Sequence, residues 1–250
     1  MPGLSDILAR FDPISLAEMD GVKLQDRVDT KYVLGLADLN EVFAAMLPHY
    51  RLLEVNGVRG TAYRSLYLDT PDLRHYHDHH NKRTFRVKVR YREYIGADLA
   101  FLEVKRKTGR GGTDKARMRV PTIPTTMPPD HAEFVTKASG RMEQLVPTLW
   151  NHFTRYTFVH RERAERLTID LDLRYTDPSG ERALEGIVVA ELKQGRADRG
   201  SDFVRIMRQR NIRPSGMSKY CVGMLLLGAP VKHNAFKETM LRLERIRHAA

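Results

Sequence analysis

The stretch that decides the fold reads FRVKVRYREYIGADLAFLEVKRK and covers residues 85–107. In its first half, four cations share one parity and apolar residues share the other; the cations are Arg86, Lys88, Arg90 and Arg92. Side chains of a β-strand alternate between its faces, so this half predicts a strand with one basic face and one apolar face. The second half alternates in the same way from Phe101 to Lys107, beyond a short loop around Gly96. The whole stretch therefore predicts an antiparallel hairpin.

The basic face of this hairpin has two interpretations. On an ordinary half-buried strand it would face water, where solvent and salt screen the repulsion between neighbouring cations. Alternatively, it faces an enclosed cavity that holds an anion. The pattern recurs further along the chain, which makes the enclosed cavity the favoured interpretation; the recurring rows contain Lys115, Arg117 and Arg119, then Arg155, then Arg166 to Arg174, and finally Glu191 and Lys193.

The composition narrows the class of partner. The 250 residues are 42% hydrophobic and 29% charged, which supplies enough apolar material for a core and argues against a membrane protein. Lys and Arg number 42 against 31 Asp and Glu, and the formal net charge is +11. A surplus of this size predicts a polyanionic partner, which could be a nucleic acid, an anionic membrane surface or a small phosphorylated ligand.

The cysteine count and the apolar segments predict a cytoplasmic protein. Cys221 is the single cysteine, so no internal disulfide can form, which fits a reducing compartment. The N-terminal residues 1–13 carry acids and lack an apolar signal core. The longest apolar run, residues 221–227, is far too short to span a bilayer. Association with a membrane through a partner protein stays open.

About eight strands can be counted, most of them joined by short turns, with helices between or after them. Antiparallel strands in this number predict an α+β fold, a closed antiparallel β-barrel flanked by helices. The apolar rows would face outward to the helices, and the charged rows would line a basic tunnel. Unpaired cations in a dry interior are prohibitively costly, so the tunnel is expected to hold water and a highly charged anion. Residues 130–148 are predicted to be helical, and residues 233–248 to form an amphipathic terminal helix.

Four histidines near residue 75 invite comparison with a metal site. They are His75, His77, His79 and His80, in a segment predicted to be a short helix. Pairs three or four residues apart lie on one face of a helix, as metal ligands there require. A basic strand follows this segment, so surface histidines beside that strand are the favoured interpretation.

Taken together, these residues resemble the VTC-type polyphosphate polymerase domain of the triphosphate tunnel metalloenzyme (CYTH-like) superfamily, over roughly residues 20–228. The resemblance rests on short motifs in the family's order: Asp29-Thr30-Lys31-Tyr32, Ser65-Leu66-Tyr67-Leu68-Asp69-Thr70, Lys88-Val89-Arg90-Tyr91, Glu103-Val104-Lys105, Lys115, Arg155-Tyr156, Arg166, Glu191-Leu192-Lys193 and Ser218-Lys219-Tyr220. It implies one tunnel domain over residues 1–228, with an N-terminal helix over 1–20 included, and a C-terminal amphipathic helix over 229–250.

The sequence departs from the family pattern in three places. The first strand of the superfamily often reads Glu-x-Glu-x-Lys, and here Arg27 and Asp29 stand in its acidic places. Lys88 replaces the first arginine of the basic-x-Arg motif, which keeps the charge and loses the bidentate fork. Gly216 stands where the polymerases carry a second lysine before the closing one. These departures imply fewer tunnel cations than the polymerases have, and they weaken an assignment as a two-metal hydrolase.

The resemblance implies phosphoryl transfer inside the tunnel, most directly the NTP-dependent synthesis of inorganic polyphosphate. It assigns phosphate binding to Lys31, Lys88, Arg90, Lys105, Lys115, Arg155, Arg166 and Lys219. It assigns catalytic roles to Lys31, Arg90, Lys105, Glu191 and Lys219. Glu191, and more weakly Glu103, would hold a divalent cation, Mn²⁺ or Mg²⁺, on a nucleoside triphosphate. The expected tunnel mouths contain Arg86, Arg92 and Lys107.

Three other functions stay open. A metal-dependent tripolyphosphatase or nucleoside triphosphatase would use the same tunnel, with Glu103 or Glu191 orienting a water molecule. A non-catalytic module would bind polyphosphate or inositol phosphates without turnover. Nucleic-acid binding agrees with the net charge, but a duplex cannot reach basic rows that line a tunnel, so no nucleic-acid partner is expected. The expected partners are therefore a nucleoside triphosphate and inorganic polyphosphate.

Overall fold

The computed structural model describes residues 3–20, 28–109 and 112–248. Its helices, in chain order, are α1 (Leu4–Ala9), α2 (Leu16–Asp20), α3 (Leu39–Met46), α4 (Arg74–His80), α5 (Pro129–Ser139), α6 (Asp202–Gln209), α7 (Lys219–Leu226) and α8 (Lys237–His248), with a 3₁₀ turn over Asn234–Phe236. Its strands are β1 (Pro13–Ile14), β2 (Val28–Gly35), β3 (Tyr50–Leu53), β4 (Gly60–Asp69), β5 (Arg86–Tyr94), β6 (Leu99–Lys107), β7 (Thr113–Val120), β8 (Val146–His160), β9 (Glu165–Asp177), β10 (Gly180–Ala183) and β11 (Ile187–Gln194). None of the helices in this part of the chain is both long and apolar enough to cross a bilayer.

All the strands within the described residues join one sheet. Its main path runs in the order β2-β11-β9-β8-β4-β5-β6-β7, and every pairing along this path is antiparallel. Outside the path, β10 pairs with β9, β3 pairs with β8, and β1 pairs with β3 in parallel. The predicted α+β fold, with a large antiparallel sheet and flanking helices, is therefore confirmed.

The predicted closure of the sheet into a barrel is not confirmed. Closure would need hydrogen bonds between β2 and β7, the two ends of the path, and none joins them within the described ranges. The sheet nevertheless curls strongly enough that Lys31 of β2 and Lys115 of β7 line the same cavity. Alternation along a strand fixes which side chains face this cavity. It does not fix whether two edge strands that are distant in sequence meet.

The hairpin predicted over residues 85–107 is formed by β5 and β6, which pair from Arg86 opposite Lys107 to Tyr94 opposite Leu99. Its apolar row is buried in a cluster that includes Val135 of α5; the row contains Val87, Val89, Tyr91, Leu102 and Val104. Its basic row lies on the inner face of the sheet and contributes to the cavity. The predicted arrangement, with apolar rows facing helices and charged rows facing inward, is confirmed for this hairpin.

The helix predicted over residues 130–148 ends early. Helix α5 closes on Gly140, whose backbone φ of 72° lies in the left-handed region that glycine adopts without strain. The chain then turns, and the long strand β8 begins at Val146. The strand predicted over residues 24–34 is observed from residue 28 onward, and residues 24–27 lie outside the described ranges.

Strand β9 changes the face of its side chains near its middle. Its register with β8 shifts there, and β9 accommodates one extra residue. The geometry centres on Asp172, which is exposed and has a backbone φ of 54°, a left-handed value that Asp tolerates better than most residues. Leu171 consequently packs among the outer helices, whereas Tyr175 packs inside, against α7. The uniform alternation predicted for residues 166–174 is wrong from Asp172 onward.

The C-terminal segment packs on the core. Helix α8 contacts β2 and β11, and its Leu243 is buried in the apolar cluster that also contains α7. The amphipathic terminal helix predicted over residues 233–248 is thus observed as the 3₁₀ turn and α8 together. The division of the chain at residue 228 into a tunnel domain and a terminal helix stays a prediction.

Helix α7 lies in close contact with the inner face of the sheet at Gly223. A β-carbon built at this position would be 2.5 Å from Cδ1 of Tyr175 and 3.0 Å from Cδ2 of Leu149. Glycine therefore allows the helix to approach the strands more closely than any other residue would. The aromatic and aliphatic side chains beneath it are fully buried and have little room to move.

We expect Gly223→Ala to lower the free energy of unfolding by about 2 kcal/mol because the added methyl group overpacks this contact. A loss of stability would be informative, because helix propensity alone favours alanine over glycine by about 1 kcal/mol and would raise the free energy of unfolding. Urea denaturation measures the change. Gly216→Ala is the matched control, because nothing lies within 4 Å of a β-carbon there. A Gly223→Ala protein as stable as the parent would contradict the close packing.

Candidate functional site

The inner face of the curled sheet encloses a cavity of about 210 Å³. Seven strands contribute charged side chains to it, and the first turn of α7 contributes Lys219 and Tyr220. The lining contains nine cations and three carboxylates, a formal surplus of six positive charges. The cations are Lys31, Lys88, Arg90, Arg92, Lys105, Lys115, Arg155, Lys193 and Lys219, and the carboxylates are Glu103, Asp170 and Glu191.

Nine of the ten site residues predicted from the sequence line this cavity; they are Lys31, Lys88, Arg90, Glu103, Lys105, Lys115, Arg155, Glu191 and Lys219. The tenth, Arg166, lies outside the lining near the start of β9. Its Nη2 donates a hydrogen bond to the carbonyl oxygen of Met19 at 3.1 Å. The cavity geometry therefore gives no support to the predicted phosphate-binding role of Arg166.

Three charged residues of the cavity are missing from the predicted site: Arg92, Asp170 and Lys193. Lys193 shares a strand face with Glu191, and Asp170 shares one with Arg166, because each pair is an even number of residues apart. The alternation of the strands could therefore have predicted both. The prediction that Arg92 lies at a tunnel mouth is wrong, since only 8% of its side chain is exposed. A basic residue near the end of a strand carries no local signal of how deeply the sheet buries it.

Glu103 is held between two cations of neighbouring strands. Arg90 lies directly opposite it on β5, and both Nε and Nη2 of Arg90 donate to Oε2, at 2.8 and 2.7 Å. Lys115 of β7 reaches Oε1 at 2.6 Å. Burial alone would raise the pKa of Glu103, but Arg90, Arg92 and Lys115 together hold it well below its usual range. Both oxygens of this carboxylate are therefore occupied.

Asp170 of β9 is likewise held by two cations. Arg155 lies opposite it on β8, with Nε 2.6 Å from Oδ1 and Nη2 2.8 Å from Oδ2. The ammonium of Lys219 donates to Oδ2 as well. Burial disfavours the charged carboxylate, yet Arg155 and Lys219 hold the pKa of Asp170 well below its usual range. Asp170 thereby fixes one cation from the sheet and one from α7.

Glu191 is paired differently, because both of its partners are lysines. Lys31 lies opposite it on β2, with Nζ 3.5 Å from Oε2, and Lys193 is 2.5 Å from Oε1. Its side chain is 20% exposed, whereas those of Glu103 and Asp170 are 3% and 4% exposed. Lysines are flexible point charges, so they can yield to another cation more readily than a bidentate arginine can.

This difference decides which carboxylate fits a divalent cation. Mg²⁺ and similar ions bind through one or two carboxylates together with water and substrate phosphates. Glu191 suits that role, because its oxygens face the cavity and are held by lysines alone. Glu103 does not suit it, because Arg90 and Lys115 already engage both of its oxygens. The residues present thus fit a metal carried in with a phosphate ligand, held on the protein side by Glu191.

Lys88 and Lys105 form no direct ion pair with a carboxylate in the described part of the chain, although Glu191 favours the charge of Lys105 from a distance. Lys88 donates to Oγ of Ser218 at 3.2 Å, and Lys105 lies opposite Lys88 and Lys115 on the two adjacent strands. Burial lowers the pKa of Lys88 to about 8 and that of Lys105 to about 7, and neighbouring cations contribute to both shifts. These two ammonium groups are the ones most in need of an external anion.

An aromatic pair supports the innermost cations. The rings of Tyr63 and Phe153 stack with their centroids 5.2 Å apart. The guanidinium of Arg155 lies 5.3 Å from each ring centroid, and that of Arg92 lies 5.3 Å from Tyr63 and 5.8 Å from Phe153. Nζ of Lys219 is 3.9 Å from the centroid of Phe153. Cation–π attraction of this kind helps to offset the desolvation of charges that the fold has buried.

The start of α7 is fixed to the strand β4. The ring of Tyr220 stacks on that of Tyr67 at 5.2 Å, and its hydroxyl donates to Oδ2 of Asp69 at 2.7 Å. The side chain of Ser218 caps the helix by accepting from the backbone N–H of Cys221. Between these two anchors, Lys219 is directed toward Asp170. The Ser218-Lys219-Tyr220 motif therefore adds to the cavity a cation that belongs to a helix and not to a strand of the sheet.

The histidines near residue 75 do not converge on a common point. Nε2 of His75 contacts Oε2 of Glu143 at 2.9 Å, and His80 accepts from the backbone N–H of Ala235 at 3.3 Å. The ring of His79 stacks on Phe236. Within the described residues none of the four belongs to a group with the geometry of a metal site. The expectation that these are surface histidines is wrong for His75, which is buried.

Another group, on the outer face, has its ligand atoms within 4.8 Å of one another: His49, His160 and Asp202. Nδ1 of His160 accepts the backbone N–H groups of Glu162 and Arg163, both at 3.1 Å. The proton of a neutral ring must then reside on Nε2, which donates to Oδ2 of Asp202 at 2.9 Å. A metal would have to replace that proton, so this geometry favours a hydrogen-bonded pair over a metal centre.

Comparison with known proteins identifies the family of this chain and solved structures with a similar fold. A family model described as the VTC domain matches residues 26–228, and no curated protein matches the sequence significantly. Among solved structures, HpAC1 from Hippeastrum, a candidate adenylyl cyclase described as having a dominant triphosphatase activity, is 16% identical with a TM-score of 0.50, over 80% of this chain and 95% of its own. Candidate adenylate cyclases from Vibrio parahaemolyticus (13% identity, TM-score 0.47, 80% and 99% covered) and Bacillus halodurans (11%, 0.48, 77% and 94%) also match. At this identity the likeness to HpAC1 shows a shared fold.

Proposed function

We propose, because this chain belongs to the VTC domain family, that it transfers phosphoryl groups from a nucleoside triphosphate to a growing inorganic polyphosphate chain. The observation that carries the proposal is the cavity with nine cations and three carboxylates. A formal surplus of six positive charges in a partly enclosed cavity is costly, and a bound anion of comparable charge would offset that cost. A triphosphate and the end of a phosphate chain are anions of this kind, and they are slender enough for a narrow cavity.

The arginines and the lysines of the cavity would bind phosphates in different ways. Arg90 and Arg155 are held rigidly by Glu103 and Asp170, so their remaining N–H groups are oriented before a ligand arrives. Lysines such as Lys105 act as mobile point charges that can follow a phosphate as it changes position. Phosphoryl transfer relies mainly on positioning and on stabilising charge, and both kinds of cation contribute to that.

The low pKa values of the three carboxylates favour transfer to a phosphate acceptor over hydrolysis. A terminal phosphate is already anionic, so it attacks without a general base. Hydrolysis would need a group that orients and deprotonates water, and such a group works best with a pKa near the operating pH. Glu103, Asp170 and Glu191 are all paired with cations, and their pKa values lie well below the usual range. Each is therefore a poor base.

Glu191 would hold the divalent cation, Mn²⁺ or Mg²⁺, that accompanies the triphosphate. When bound, such an ion offsets charge on the phosphates and orients them. Lys31 and Lys193, which now pair with Glu191, would be released to contact phosphate oxygens. This exchange keeps the number of ion pairs in the cavity roughly constant as ligand and metal enter together.

The decisive experiment incubates the purified protein with ATP and Mn²⁺ or Mg²⁺ and separates the products by gel electrophoresis. Long phosphate chains are the expected product. Release of orthophosphate without chains would replace the proposal by a tripolyphosphatase or nucleoside triphosphatase. Tight binding of tripolyphosphate with no product of either kind would indicate a binding module for polyphosphate or inositol phosphates.

For Glu191→Gln we expect the effect of Mn²⁺ on tripolyphosphate affinity to disappear, because the protein ligand of the metal is lost. Isothermal titration calorimetry with and without Mn²⁺ measures this without any turnover. Chain synthesis should also fall by roughly 100-fold, the usual size of a lost electrostatic contact in the transition state. Glu185→Gln, an exposed glutamate, is the matched control. An undiminished effect of Mn²⁺ in Glu191→Gln would remove Glu191 from the metal site.

Two expectations from the sequence remain predictions. Cys221 is buried and has no disulfide, in keeping with the reducing, cytoplasmic environment expected from its being the single cysteine. A membrane protein that takes up the product would need a docking surface. Co-purification of this chain with a membrane protein after the membrane has been dissolved in detergent would identify such a partner.

A further inference from the structure

The cavity opens toward the two ends of the sheet path. Lys31 of β2 and Lys115 of β7 keep 39% and 35% of their side chains exposed. The exposed fraction of the side chain is lower for five other cations of the lining. It is 8% for Arg92, 12% for Lys219, 14% for Lys193, 16% for Arg90 and 17% for Arg155. Solvent therefore reaches the cavity most easily where β2 and β7 approach each other, and a ligand longer than the cavity would emerge there.

A basic row leads away from this opening along the inner face of β7. Arg117 and Arg119 follow Lys115 at every second position, so the three side chains share one face. All three are exposed. Arg117 lies opposite Glu103, but Arg90 and Lys115 already occupy that carboxylate. Within the described part of the chain neither Arg117 nor Arg119 forms an ion pair.

The surroundings of the row favour a ligand on β7 rather than on β2. On β2 the residue that shares the face of Lys31 toward the start of the strand is Asp29, an acid that lies opposite Lys193. The acid of β7, Asp114, lies on the other face and pairs with Arg106 at 2.9 Å. An anion that leaves the cavity thus meets a carboxylate along β2 and cations alone along the inner face of β7.

We propose that the inner face of β7 extends the phosphate site, with Arg117 and Arg119 binding those residues of a linear polyphosphate that lie beyond the cavity. Alternate residues of a strand are about 6.7 Å apart, so the row from Lys115 to Arg119 spans about 13 Å. The guanidinium of Arg117 lies 5.0 Å from the ring centroid of Phe101, a cation–π contact that helps to hold it in place. Each arginine presents a planar fork that matches phosphate oxygens.

This inference rests on the proposed function and adds a dependence on chain length. Arg117 and Arg119 lie outside the lining of the cavity, so a triphosphate held within the cavity is expected to leave them free. A long chain contacts both the cavity and the row, so it binds more tightly. A linear polyphosphate fits the row better than a nucleic acid does, because the row continues from a cavity of about 210 Å³, which is too small for a duplex.

The test compares tripolyphosphate with long-chain polyphosphate in the parent, in Arg117→Gln/Arg119→Gln and in Arg245→Gln/Arg247→Gln. The last variant removes the same charge from exposed positions of α8. We expect the β7 variant to bind tripolyphosphate within about twofold of the parent and to lose about 10-fold in affinity for the long chain, the size expected for two exposed ionic contacts. Calorimetry at fixed salt measures both ligands.

The outcomes separate this inference from the function on which it rests. Failure of the parent to bind tripolyphosphate would overturn the proposed function itself. Equal losses in the two double variants, or none, would overturn the role of β7 and leave the cavity as the whole site. Arg117→Lys/Arg119→Lys keeps the charges but loses the planar forks, so it should recover part of the affinity for the long chain. Duplex DNA that binds the parent as tightly as long-chain polyphosphate, and loses affinity in the β7 variant, would reassign the row to nucleic acid.

Discussion

Replacing Lys105 by methionine should make the empty protein more stable and yet lower the rate of phosphoryl transfer by roughly 100-fold or more. Lys105 is surrounded by other cations; Glu191 favours its charge from a distance, but no carboxylate of the described residues forms an ion pair with it. In the absence of ligand its charge opposes folding. With a triphosphate bound, the same charge stabilises the phosphates. Removing it therefore separates the two effects, which have opposite signs.

The gain in stability is expected to be about 1–2 kcal/mol at neutral pH, as for other substitutions that relieve a functional site of strain. Urea denaturation measures it, and initial rates of chain synthesis measure the loss of activity. Lys107→Met, at the end of the same strand and outside the cavity lining, is the control for a lost cation on β6. A Lys105→Met protein that is less stable than the parent would show that attraction to a carboxylate such as Glu191 outweighs repulsion from the neighbouring cations.

The same lysine gives the site a dependence on pH whose direction follows from its pKa. In the empty protein the pKa of Lys105 is lowered to about 7, and a bound polyanion returns it toward its usual range near 10.5. Binding between pH 7 and 9 must therefore take up protons, and affinity must fall as the pH rises through that interval. Stability of the empty protein changes in the opposite sense, because the unfolded chain binds more protons there than the folded one does. Calorimetry in two buffers of different ionisation enthalpy measures the uptake, which Lys105→Met should reduce.

Asp170→Asn should have the largest effect on stability, a loss of about 3–5 kcal/mol, because it leaves two buried cations without their carboxylate. Arg155 and Lys219 both depend on Asp170, and their side chains are only 17% and 12% exposed. For a chain of this length the loss corresponds to a fall in melting temperature of roughly 10 °C. Thermal unfolding followed by circular dichroism measures it.

Tripolyphosphate should reduce the difference in melting temperature between Asp170→Asn and the parent, since its negative charge can replace the missing carboxylate beside Arg155 and Lys219. The melting temperature of Asp170→Asn should therefore rise more on adding the ligand than that of the parent, by linkage between binding and folding. Asp172→Asn is the matched control on the same strand, exposed and in a left-handed conformation that asparagine also adopts. Equal shifts in all three proteins would contradict a direct contact of the phosphates with these cations.

Alternation along the strands was sufficient to predict most of the site. It placed Lys88, Arg90, Glu103 and Lys105 on one face of a hairpin, and all four line the cavity. Such a pattern is reliable because the pleat of a strand is local and because one face must be buried. The order of the motifs along the chain then supplied the family, which strand parity alone does not define.

The errors have a common origin in long-range geometry. Asp172 interrupts the alternation of β9 with one extra residue, and nothing in its neighbours announces that. The burial of Arg92 depends on the stacked rings of Tyr63 and Phe153, which lie on other strands. The absence of hydrogen bonds between β2 and β7 in the described residues likewise depends on how the whole sheet curls. Each of these requires contacts between segments far apart in sequence.

Among the described residues β7 pairs on one side only, with β6, and this open edge bears on how copies of the protein behave toward one another. An unpaired strand edge is a template on which a second molecule can add a strand, and charged side chains along the edge discourage this. Lys115, Arg117 and Arg119 keep two such edges apart by repulsion. A long polyanion that neutralises the row removes that protection while tethering several copies to one chain. Turbidity should therefore pass through a maximum near charge equivalence and vanish again when polyphosphate is in excess.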